Sequence, residues 1–73
     1  MKFDAAKYDK ERCVIQVWYL VGEERNLIEV KEDEFRKQFR GKISPDNYKP
    51  EVGRDRYAVC VEGNWKQFRK LYL

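Results

Sequence analysis

The sequence predicts an α+β domain in which a mainly antiparallel sheet of four or five strands carries one helix on a face. Three observations lead there. Cys13–Val21 has Gln16 as its one strongly polar residue, is rich in β-branched and aromatic side chains, and holds neither Gly nor Pro. Lys31–Arg40 is built from good helix formers, with Phe35 and Phe39 one turn apart on a single face. Arg56–Glu62 is a second strand-like run, and Gly63-Asn64 behind it is a hairpin dipeptide.

In chain order, Lys2–Tyr8 reads as an edge strand that turns back through Asp9–Arg12, with a short helix capped by Asp4 as the alternative. Cys13–Val21 is the central strand. Its alternation sends Ile15, Val17 and Tyr19 to one face and Val14, Trp18 and Leu20 to the other. A strand apolar on both faces is usually covered on both, or nearly so. Gly22–Asn26 forms a hairpin loop into Leu27–Val30. The helix Lys31–Arg40 opens on Glu32, Asp33 and Glu34 and closes on Arg36, Lys37 and Arg40, the order that its dipole favours, and Gly41 stands just past its end. Ile43–Asp55, with Ser44-Pro45-Asp46-Asn47, Pro50 and Gly53, is a long irregular connection of the kind that is functional or mobile. Trp65–Leu73 is the last strand of the hairpin. In the competing reading Asn64 caps a helix with Trp65, Phe68, Leu71 and Tyr72 on one face. The expected core is Ile15, Val17, Tyr19, Phe35, Phe39, Val59, Val61 and Phe68.

At 73 residues the chain is a single domain spanning 1–73, near the lower limit for folding without a metal or disulfide, and its 15% aromatic content helps to fill the core. No apolar run approaches the length of a membrane span and the first residues open no signal peptide, so an intracellular, cytoplasmic setting is expected. Cys13 and Cys60 lie in predicted strands and read as reduced, buried small hydrophobes. With no histidine, two isolated thiols make no zinc site. Acidic residues lead nine to six through Glu34, and basic residues lead ten to four from Phe35 onward, which points to an anionic partner for the second half.

The chain excludes several chemistries. It has no His or Thr and one Ser, Ser44, so no Ser-His-acid or Cys-His arrangement can be assembled from it. Its four glycines are scattered and form no phosphate loop, and no cofactor or metal is expected. One pattern, Leu27-Ile28-Glu29-Val30-Lys31 ahead of a helix, resembles the Glu-x-Lys half of the restriction-endonuclease-like nuclease core. The resemblance implies Glu29 as a Mg²⁺ ligand and Lys31 as the helper of the attacking water. That family also uses an upstream Asp on the same sheet, and the nearest, Asp9, falls in a predicted turn. Glu-x-Lys arises by chance in a chain that is 40% charged, so Glu29 and Lys31 are read as the solvent face of a strand.

What remains is binding. Arg36, Arg40, Lys49, Arg54, Arg56, Lys66, Arg69 and Lys70 supply cations, and Tyr48 and Trp65 supply rings among them. Phosphate contacts need clustered cations, and protein hot spots favour Tyr, Trp and Arg. The function expected is a non-enzymatic adaptor or inhibitor, of the size that phages and mobile elements encode, docking on a protein or nucleoprotein complex. Direct nucleic-acid binding by the basic second half is the alternative, and a metal-dependent nuclease the remote one. A net charge of +3 is low for a dedicated phosphate binder, which favours the protein partner.

Overall fold

The computed structural model describes residues 1–73. Strands β1 (Lys2–Asp9), β2 (Val14–Val21) and β3 (Glu24–Lys31) form an antiparallel meander in the order β1-β2-β3. Helices α1 (Glu32–Gln38), α2 (Arg56–Gly63) and α3 (Trp65–Tyr72) follow, with 3₁₀ turns at Gly41–Ile43 and Pro45–Asn47 between α1 and α2. The class is α+β, as the sequence predicts. The sheet, however, has three strands instead of four or five, and it carries three helices instead of one.

The central strand and the edge strand are where the sequence puts them. Asp9 ends β1 and turns the chain by accepting the backbone N–H groups of Glu11 and Arg12 at 3.1 and 3.3 Å. The β2–β3 connection is tighter than expected: Val21 pairs with Glu24, and Gly22, at φ +62°, takes the left-handed conformation that a two-residue hairpin demands. Helix α1 is shorter at both ends than Lys31–Arg40. Lys31 is still extended, Phe39 is already the C-cap, and Gly41 (φ +66°) opens the next 3₁₀ turn instead of closing the helix.

The C-terminal third departs most from the sequence reading. Arg56–Gly63 and Trp65–Tyr72 are helices, and Gly63-Asn64 is the break between them, not a hairpin turn. Asp55 decides the first: its carboxylate accepts the Ala58 N–H at 2.8 Å and caps α2. Tyr57, Ala58, Cys60 and Val61 then fall on one buried helical face, and this packing outweighs the strand propensity of Tyr57, Val59 and Val61. Helix α3 follows the competing reading, with Phe68 fully buried and Trp65, Leu71 and Tyr72 packed beside it. Asn64 is its N-cap residue but spends its side-chain amide on the Tyr48 hydroxyl and the Cys60 carbonyl, both at 2.9 Å.

The core lies between the helices and one face of the sheet. Ile15, Val17 and Val30 meet Phe35, Phe39, Tyr57, Cys60, Val61 and Phe68. Phe35 and Phe39 stack at 4.3 Å, and Phe39 reaches Phe68 at 6.4 Å. Of the expected core, Tyr19 and Val59 are only partly buried, while Val30, Tyr57, Ala58 and Cys60 join it. The two cysteines part company. Cys60 is buried, but on a helix, and burial pushes its thiol up to about 11. Cys13 is exposed in the β1–β2 turn at φ +53°, so it is neither in a strand nor in the core. No helix is long and apolar enough to cross a membrane.

Candidate functional site

The register divides the sheet into two faces. Phe3, Ala6 and Tyr8, Ile15 and Val17, and Ile28 and Val30 share the face under the helices. The opposite face presents Ala5 and Lys7 from β1, Val14, Gln16, Trp18 and Leu20 from β2, and Arg25, Leu27, Glu29 and Lys31 from β3. No element covers it. Central-strand residues apolar on both faces were expected to be buried on both, yet Val14, Trp18 and Leu20 stay half-buried and Leu27 is 49% exposed.

Charged side chains frame this open face. Asp4 holds the Arg25 Nε at 2.7 Å, and the guanidinium carbon of Arg25 lies 5.3 Å from the centre of the Trp18 ring. Arg12 grips Glu29 with both terminal nitrogens and turns its Nε to Asp9 at 2.8 Å, while Gln16 adds a hydrogen bond to Glu29 at 2.9 Å. Arg12 thereby holds the Asp9 and Glu29 carboxyls below their ordinary range. Lys2, Lys7 and Lys31 stand on the same face with no carboxylate within 4.0 Å.

Asp9, Glu29 and Lys31, the residues that the nuclease resemblance singles out, do share this face, and Asp9 belongs to β1 and not to a turn. They lie on β1 and β3, separated by β2, and the cation between the two carboxylates is the Arg12 guanidinium. The only hydroxyl of serine type, on Ser44, accepts the Asp46 N–H at 3.4 Å.

The basic and aromatic residues of the second half fall into separate groups. Arg36 and Arg56 converge on Asp46, at 3.1 and 3.4 Å. Arg54 is shared by Glu51 and Glu62, both at 2.9 Å. Tyr48 is a structural peg: its hydroxyl accepts from Asn64, and its ring packs against Gly63. Trp65 packs between Phe3 and Phe68, each 5.5 Å away, with its Nε1 buried and without an acceptor. Lys66, Arg69 and Lys70 are brought together, exposed and free of ion pairs, on the outer face of α3 beside a shallow hollow of about 710 Å³. Lys49 and Arg40 are exposed elsewhere.

A polar cluster under α1 was not anticipated from the sequence. Glu32 accepts from the hydroxyls of Tyr8 (3.0 Å) and Tyr57, and Arg36 donates its Nε to the Tyr57 oxygen at 3.0 Å. The hydroxyls, Tyr57 first, hold the Glu32 carboxyl below its ordinary range, while burial and then Glu32 push Tyr57 up to about 12. These groups satisfy one another and tie β1, α1 and α2 together.

No family model matches the chain, no curated protein matches it, and no solved structure matches its fold.

Proposed function

We propose that this chain is a non-enzymatic binding module, an adaptor or inhibitor, that docks on a protein through the open face of its sheet. The observation that supports this is the placing of Val14, Trp18, Leu20 and Leu27 on a face that the chain leaves bare. A sheet apolar on both sides is ordinarily the middle layer of three, and here the third layer is missing. Lys2, Lys7 and Lys31 around the apolar strip select the occupant: an amphipathic helix with acidic residues flanking its apolar stripe. Trp18 is the anchor, and Arg25 is the group that the occupant must share with it or displace.

The test is a library of acidic amphipathic helices panned on the wild-type protein and then titrated against Trp18→Ala and Leu20→Ala. Each substitution should weaken binding by roughly thirtyfold, the effect of losing a hot spot of about 2 kcal/mol. Helices that bind both variants as tightly as wild type would remove the sheet face from consideration.

A second reading places an anionic partner, nucleic acid above all, on Lys66, Arg69 and Lys70, because these cations share one helical face and no carboxylate engages them. It lacks an exposed ring to stack a base on, since Trp65 is turned into the core. Single- and double-stranded oligonucleotides titrated at two salt concentrations decide this. Binding with a steep salt slope, lost in K66A/R69A/K70A and kept in Trp18→Ala, would establish the second reading in place of the first.

A further inference from the structure

The two edges of the sheet are treated differently. On β1 a bulge interrupts the ladder between Phe3 and Ala5, and the outward N–H of Tyr8 is taken by the Asp55 carboxylate at 2.7 Å. Those are two of the usual devices against edge-to-edge pairing. On β3 no bulge breaks the ladder and no side chain takes an outward N–H, and the charged residues of the strand are of both signs. Val21 and Glu24 close the hairpin as a hydrogen-bonded pair, and Glu32 N–H returns to the Cys13 carbonyl at 2.9 Å at the other end. The even-numbered residues of β3 therefore face β2 with their backbone groups, and Arg25, Leu27 and Glu29 turn theirs outward. No loop, cap or side chain hydrogen-bonds to those outward groups.

We propose that β3 pairs with β3 of a second copy of this chain, antiparallel and about a two-fold axis through Leu27. The charges select the register. Residues directly opposite in such a pair must lie on the same face, so only registers in steps of two are allowed. With Leu27 opposite Leu27, each Arg25 stands opposite a Glu29 of the other copy. A shift of one step in one direction sets Arg25 opposite Lys31, and in the other it sets Glu29 opposite Glu23. Of these three registers the one centred on Leu27 alone pairs opposite charges, and it also places Leu27, 49% exposed in the single chain, against its own copy. Because the axis runs through a hydrogen-bonded position, the Leu27 pair and both Arg25–Glu29 pairs exchange their outward N–H and C=O groups. The product is one continuous sheet with the bare faces of the two copies side by side. This pairing needs no other partner and does not depend on what the open face binds.

The experiment uses purified full-length chain alone. Sedimentation velocity over a concentration series should show a reversible monomer–dimer equilibrium. Amide exchange should slow with concentration at Arg25, Leu27 and Glu29, and not at Ile28. Arg25→Glu sets carboxylates against Glu29, and Glu29→Arg sets guanidinium groups against Arg25, so each variant alone should self-associate about tenfold more weakly, two reversed cross-strand pairs being at stake. Mixed together, the two variants present a carboxylate at position 25 to a guanidinium at position 29 on one side and the native pair on the other. The mixture should dimerise more tightly than either variant alone. A protein that stays monomeric throughout, concentration-dependent protection at Ala6 and Tyr8 instead of β3, or a mixture no better than its components would each overturn the proposal. If either variant fails to fold, the exchange measurement on wild type decides by itself.

Discussion

Replacing Phe68 with Ala asks whether the C-terminal segment is the packed helix described here. Phe68 is fully buried, with Phe39 at 6.4 Å, Trp65 at 5.5 Å and Tyr72 at 4.9 Å between ring centres. Removing a buried aromatic ring costs about 3–5 kcal/mol, transfer and cavity together. A domain of 73 residues has about 4–11 kcal/mol in all, so the variant should sit at the edge of unfolding. In urea, with a slope of about 1 kcal/mol per molar for so small a chain, the midpoint should fall by about 3 M or more. Tryptophan fluorescence is the natural probe, since Trp65 stacks on the ring that is removed. Phe68→Leu, which keeps most of the volume, should lose about 1–2 kcal/mol and guards against a variant that never folds. Arg69→Ala, exposed on the same helix, should stay within about 0.5 kcal/mol of wild type. An unchanged midpoint for Phe68→Ala would refute the docking of α3 on the core.

Four further outcomes follow from the same structure. A bulky thiol reagent should label Cys13 within the native state and Cys60 only on unfolding, because one lies in an exposed turn and the other is buried with its thiol raised; equal rates at both would contradict the packing of α2. Glu32 and Asp46 have folded-state values depressed below 4.5 and 3.8, so the stability they add is present above those values and lost as pH falls through the folded ones; Glu32→Gln should flatten the acid limb of a urea-midpoint profile, and an unaltered limb would count against the Tyr8–Tyr57–Glu32 cluster. Tyr57 works in the opposite sense: raised from 10.0 to about 12, it supports the fold fully below pH 10 and loses that support as pH climbs toward 12, so the alkaline fall of the urea midpoint should be smaller in Tyr57→Phe, the remainder coming from Tyr72 and Cys60, which are raised as well. Incubation with DNA in Mg²⁺ or Mn²⁺ should give no cleavage, and cleavage that vanishes in Glu29→Ala would overturn the binding-module proposal.

The sequence was most informative where a signal was both local and long. Cys13–Val21 could hardly be anything but a central strand, and Phe35 with Phe39 marked the buried side of α1. It misled at Arg56–Val61, where a short apolar run satisfies two periods at once: Tyr57, Val59 and Val61 alternate, while Tyr57, Cys60 and Val61 share a helical face. The deciding residue is Asp55, directly before the run and three residues ahead of the N–H it caps, a helix-start signal that the hairpin reading of Gly63-Asn64 leaves out of account. The candidate surface suffered differently. Arg36 and Arg56 looked free because the carboxylate that holds them, Asp46, is ten residues from either and meets them only in the fold. Trp18 and Leu20 were visible as apolar, but whether anything covers a face depends on topology, which alternation within one strand does not encode.

Asp55 joins the N-terminus of α2 to the edge of β1, forty-seven positions apart in sequence. The order in which the molecule can assemble follows from that span. The meander closes through turns of a few residues and can zip early, whereas the helices that cover it come from the far end of the chain. Until α2 and α3 arrive, the young sheet shows solvent an oily surface on each side, and the edge of β1 lacks the Asp55 carboxylate that later takes the Tyr8 N–H. That interval is when the chain is most open to aggregation, and a fast-docking α2 shortens it. Weakening the Asp55 cap should therefore lower the yield of refolding at high protein concentration more than it lowers the stability of molecules that have already folded.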